Sequence, residues 1–84
     1  MSIKFTLKQI EILRIIKNRR SDGELVDIYD ICSLATYDVK PDAMKHSLNV
    51  LINAGYVQKM GKVKRGYKHA VTIYTVTSAG YSLV

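Results

Sequence analysis

The sequence predicts an α+β domain in which three short helices are followed by a two-stranded antiparallel hairpin. Three observations predict it. Apolar residues recur at helical spacing in three blocks between Leu7 and Ile52, with turn-forming residues between the blocks. After Gly55 the pattern changes to alternation, and the second alternating run, Ala70-Val71-Thr72-Ile73-Tyr74-Thr75-Val76-Thr77, is rich in β-branched residues. Every acidic residue lies at or before Asp42, so the hairpin carries positive charge alone.

The chain of 84 residues is expected to form a single domain over 1–84, with one core. At 48% hydrophobic and 24% charged it has an ordinary globular composition. One cysteine, Cys32, excludes an internal disulfide, and no signal peptide or membrane span stands out, so a soluble cytoplasmic protein with no membrane partner is expected. The net charge is +6; residues 43–84 hold six Lys/Arg and no acid. An unopposed positive region attracts polyanions over about 8 Å at physiological salt. DNA, RNA, an acidic protein and an anionic surface all meet that description.

Thr6 and Gln9 are spaced as a capping box and Phe5 and Ile10 as a hydrophobic staple, which starts a helix running to about Arg20. Leu7, Ile10, Leu13 and Ile16 are its expected core stripe. Ile12 and Ile15 widen the apolar arc beyond that stripe, and are accounted for either by the C-terminal tail packing over Ile15 or by a homodimer contact through this helix. Ser21-Asp22-Gly23 is turn chemistry, and Leu25-Val26 suits a very short strand. Asp27 is an N-cap with Asp30 three residues on, and Ile28, Ile31, Cys32 and Ala35 are the buried face of a second helix. Cys32 is read as a small core residue. Thr36-Tyr37-Asp38 make the next turn, with Val39 tucked beneath it.

The stretch Pro41–Tyr56 forms the third helix, opened by proline and ended by Gly55. Met44, Leu48, Leu51 and Ile52 share one face; Asp42, Lys45, His46, Asn49 and Asn53 gather nearly opposite. That second face offers amide, imidazole and ammonium groups and little net charge; beside a positively charged hairpin it suits a nucleic acid, while its modest charge also suits a protein partner. His46 is either simply solvated or a contact. Strands at 56–60 and 70–77 flank the connection 61–69, which is too long for a tight turn and is expected to project as a loop. Lys59, Lys62, Lys64, Arg65 and Lys68, with Tyr67 among them, make it a basic wing. Thr77 caps a last short turn of helix.

Three helices and a basic hairpin in this order resemble the winged helix-turn-helix DNA-binding superfamily. Leu51-Ile52-Asn53-Ala54-Gly55-Tyr56-Val57 is similar to the family's exit from its recognition helix. Tyr74-Thr75-Val76-Thr77-Ser78-Ala79-Gly80 resembles the "Tyr-x-Leu-Thr-x-x-Gly" that closes the wing in small prokaryotic and phage regulators, MarR-like and PadR-like proteins among them. The resemblance implies a third helix in the major groove and a wing on the backbone or minor groove. By position, Lys45, His46 and Asn49 match its base-facing and phosphate-facing sites. The chain departs from the family in a longer segment from Ala35 to Pro41 and in lacking the long terminal dimerisation helices.

Other chemistry is set aside. Gly61 to Gly66 has the glycine spacing of a phosphate loop, but Tyr67-Lys68 follows where Lys-Ser/Thr is required. Cys32, His46 and His69 show no zinc spacing, and no serine or cysteine has a base partner, so neither a metal, a cofactor nor an enzymatic activity is expected. The expected function is a sequence-preferring double-stranded DNA-binding regulator of transcription. Two alternatives stand beside it: a winged-helix module that binds an acidic protein, such as a phage-encoded inhibitor of a host protein, and an RNA or single-strand binder using Tyr67 and Tyr56 as stacking surfaces.

Overall fold

The computed structural model describes residues 5–66 and 69–84. The elements run α1 (Leu7–Ser21), α2 (Ile28–Leu34), α3 (Pro41–Asn53), β1 (Val57–Val63), β2 (Val71–Val76) and α4 (Ser78–Leu83). Three helices followed by an antiparallel hairpin is the order expected from the sequence.

Capping fixes the helix starts. Thr6 Oγ1 accepts from the Gln9 N–H (3.1 Å) while Gln9 Oε1 accepts from the Thr6 N–H (3.0 Å), closing the capping box that opens α1. Asp27 and Asp30 do the same for α2, at 2.9 and 3.0 Å. Pro41 starts α3 with no side-chain cap, since its missing N–H needs no partner.

The core gathers Ile12, Leu13 and Ile16 from α1, Val26, Ile31 from α2, Met44, Leu48 and Leu51 from α3, and Val57 and Tyr74 from the hairpin. This rotates α1 from the orientation its sequence suggests. Leu7 is 87% exposed and Ile12 is wholly buried, so Leu7 leaves the expected stripe and Ile12 becomes its centre. The reason is that Ile12, Leu13 and Ile16 lie opposite Leu7 on the helical wheel, and only one side can face the core. Ile12 therefore cannot be a homodimer contact. Ile15 is half-buried against the core, whereas the tail reaches α1 at Lys17, which donates to the Val84 carbonyl and lies 4.4 Å from the Tyr81 ring centre.

The hairpin extends further than expected. β1 continues through Gly61, Lys62 and Val63, pairing Gly61 with Ile73 and Val63 with Val71, so the open connection is shorter than 61–69. Register shifts between Lys59 and Gly61, leaving Met60 as the extra residue of a bulge, and Gly61 takes φ +126° there. Leu25-Val26 forms no strand, but the Val26 carbonyl accepts from the Tyr74 N–H at 2.8 Å and so tethers β2 on its other edge.

The contact between the end of α3 and the end of β2 explains both family-like strings at once. Gly55 turns the chain at φ +88°, and the Tyr56 N–H donates back to the Leu51 carbonyl at 3.0 Å. Thr77 Oγ1 donates to the Gly55 carbonyl (2.7 Å) and accepts from the Gly80 N–H (3.2 Å), capping α4. The Thr77 N–H donates to the Tyr56 carbonyl at 3.1 Å, and a Cβ on Gly80 would overlap that same carbonyl oxygen. Thr-x-x-Gly closes the wing onto the end of α3.

Candidate nucleic-acid interface

Burial of Met44, Leu48 and Leu51 turns the opposite face of α3 outward, and Asp42, Lys45, His46, Asn49 and Asn53 are all exposed. The start of this face meets the hairpin. A cleft of about 280 Å³ has Asp42 and Lys45 on one wall and Ala70, Val71 and Thr72 on the other, with Tyr29 of α2 at its edge. Tyr29 and the 70–72 segment were not legible as site residues, because their role comes from proximity across the fold.

The wing residues divide into three groups. Lys59, Lys62 and Lys64 are exposed, with Lys59 and Lys62 in β1 opposite Tyr74 and Thr72. Tyr67 and Lys68, expected among the wing contacts, lie outside the described residues. Arg65 departs from expectation. Its Nη1 donates to Asp27 Oδ2 at 3.0 Å and also to Asp30 Oδ2, and its side chain is 27% exposed. The hydrogen bond to Asp30, with Asp27 beside it, raises the Arg65 pKa above its ordinary value. Arg65 is thus engaged inside the molecule rather than held out as a free cation.

The clasp has a local cause. A capping box built from two aspartates brings two carboxylates together, and Asp27 is fully buried. Two like charges at such a site need a counterion. Arg65 supplies it, 38 residues from Asp27 along the chain. The pair of acids at Asp27 and Asp30 was the available sequence signal, but nothing in spacing alone names the cation.

On the far side of α1, Glu11 accepts from Thr36 Oγ1 at 2.5 Å, and Lys8 stands 5.0 Å from the Tyr37 ring centre, fastening the turn between α2 and α3. Burial, then the Glu11 carboxylate, push the Tyr37 phenol up. Burial likewise raises the Cys32 thiol, which packs against the core. Among the described residues, no group of three His, Cys, Asp or Glu is placed to hold a metal, and no helix is long and apolar enough to cross a membrane.

No family model and no curated protein matches the chain by sequence. Solved structures do match. Bacillus subtilis PadR in complex with operator DNA superposes with a TM-score of 0.72 at 19% identity, over 93% of this chain and 44% of that one. A protein of Archaeoglobus fulgidus gives 0.73 at 20% identity, over 94% and 78%. Apo MarR of Escherichia coli gives 0.70 at 18% identity, over 95% and 53%. The chain spans about half the length of the PadR and MarR structures. With three helices, a two-stranded wing and superposition along nearly its whole length, the chain has the winged helix-turn-helix fold.

Proposed function

We propose that this protein binds double-stranded DNA with sequence preference and regulates transcription, placing α3 in the major groove and the wing along the backbone or minor groove. The observation that carries this reading is the cleft in which Asp42 and Lys45 of α3 stand beside Ala70 to Thr72 of the wing, so that one ligand can touch both. The fold likeness to a PadR bound to operator DNA supports it. Asn49 pairs with adenine, Lys45 with guanine or a phosphate, and Asp42 accepts from cytosine, with His46 and Asn53 flanking them. Lys59, Lys62, Lys64 and Lys68 supply affinity that does not depend on sequence, with Tyr67 counted with them by its place in the sequence. Arg65 is left out of that set because Asp27 and Asp30 occupy it.

With about four phosphates neutralised, log affinity falls with log salt at a slope of about −4. Anisotropy titrations of labelled duplex at several salt concentrations measure it, with single-stranded DNA, RNA and acidic protein as competitors. A slope near zero, or preference for any competitor, overturns the reading.

A second surface fits a second copy of the chain. Leu7, Ile10 and Ile15, together with Lys8 and Arg14, line a groove of about 540 Å³ between α1 and the turn at Thr36 and Tyr37. Two copies related by a two-fold axis would lay this apolar strip against itself, as an isologous contact requires. Light scattering of the wild type and of Leu7→Glu tests it; a wild type that stays monomeric overturns it.

A further inference from the structure

Resting on the duplex-binding reading, we infer that Arg65 is a positioning residue: its ion pairs to Asp27 and Asp30 hold the wing at the angle to α3 that a duplex requires, and it makes no contact with phosphate. Arg65 lies two residues beyond the end of β1, at the point where the hairpin leaves its last paired residues, Val63 and Val71. Across from it stands the start of α2, whose Ile28 and Tyr29 line the same cleft as Lys45 and Thr72. The clasp therefore ties the free end of the hairpin to the body beside α3. The hairpin's other end is already fixed by Thr77 and Gly55. A ribbon held at both ends has one orientation; without the clasp, the part beyond the Tyr74–Val26 hydrogen bond is free to pivot.

The charges make this reading separable from direct contact. Both carboxylates compete with phosphate for the same guanidinium, and Asp27 is buried. Releasing Arg65 to a phosphate would strand that carboxylate. Simple charge counting says that removing an acid beside the wing strengthens polyanion binding. The positioning role says the opposite.

The test compares wild type, Arg65→Met, Asp30→Asn and the double variant, each checked to be folded by circular dichroism, on a labelled mixed-sequence duplex of about 20 base pairs. Both single variants are expected to bind several-fold more weakly with the salt slope unchanged. The double variant is expected to lose no more than either single one, and the amides of 61–63 and 71–73 to exchange faster in all three. Tighter binding by Asp30→Asn, a slope reduced by about one in Arg65→Met, or unchanged amide exchange overturns the positioning role alone. A wild type with no affinity for duplex overturns the proposed function, and the positioning role with it.

Discussion

Arg65 Nη1 lies 3.0 Å from Asp27 Oδ2, joining the wing to the first residue of the α2 capping box. The contact converts an acid that caps a helix into an anchor for a hairpin. Removing the cation should leave Asp27 buried and unbalanced, although the Asp30 N–H still donates to it. Arg65→Met is expected to lower stability by about 2 kcal/mol, below the range for a fully enclosed pair because Arg65 is partly exposed. Urea denaturation checks this, and a change under about 0.5 kcal/mol would mean the pair contributes nothing.

Gly80→Ala tests the joint at the other end of the wing. Helix propensity alone favours alanine over glycine by about 1 kcal/mol. Here the new methyl group would overlap the Tyr56 carbonyl, so a loss of about 1–3 kcal/mol is expected instead. A thermal melt at or above that of the wild type contradicts the placement of α4.

Replacement of Asn49 by alanine should reduce discrimination between preferred and unrelated duplexes by roughly 1–3 kcal/mol, since an amide reads a base edge. Lys64→Ala should weaken all duplexes alike and reduce the salt slope by about one. The reverse pattern would exchange the two roles.

Tyr37 and Tyr74 both carry phenols whose pKa is raised by burial. The sign follows: the folded state favours the neutral phenol, so its contribution is fully present below the unfolded value of about 10 and is lost as pH rises through the higher folded value. Stability should fall above about pH 10, with these two rings ionising later than free tyrosine. Spectrophotometric titration at constant temperature checks it; ionisation of all tyrosines in one step near 10 with the fold intact would count against it.

Much of the fold was legible in local pattern. Thr6/Gln9 and Asp27/Asp30 declared two helix starts, Pro41 and Gly55 bounded a third, and Thr77 announced the last. The face of α3 divided as its wheel indicated. Less legible were the features set by neighbours. Leu7 and Ile12 exchange burial because two arcs of one helix competed for a single core, and periodicity ranks such arcs poorly when both are apolar. The strand was cut short at Met60 because a bulge breaks the alternation that identifies strands.

By itself the sequence determined the order of elements, the capping of the helices and the polar character of the outer face of α3, all of which depend on residues within a few positions of one another. Tertiary structure alone decided which wing cation is free. Lys64 and Arg65 are neighbours of equal charge, yet one faces solvent and the other is held by carboxylates from the far half of the chain. Coulombic pairing depends on distance in space, and that distance exists only once the chain has folded.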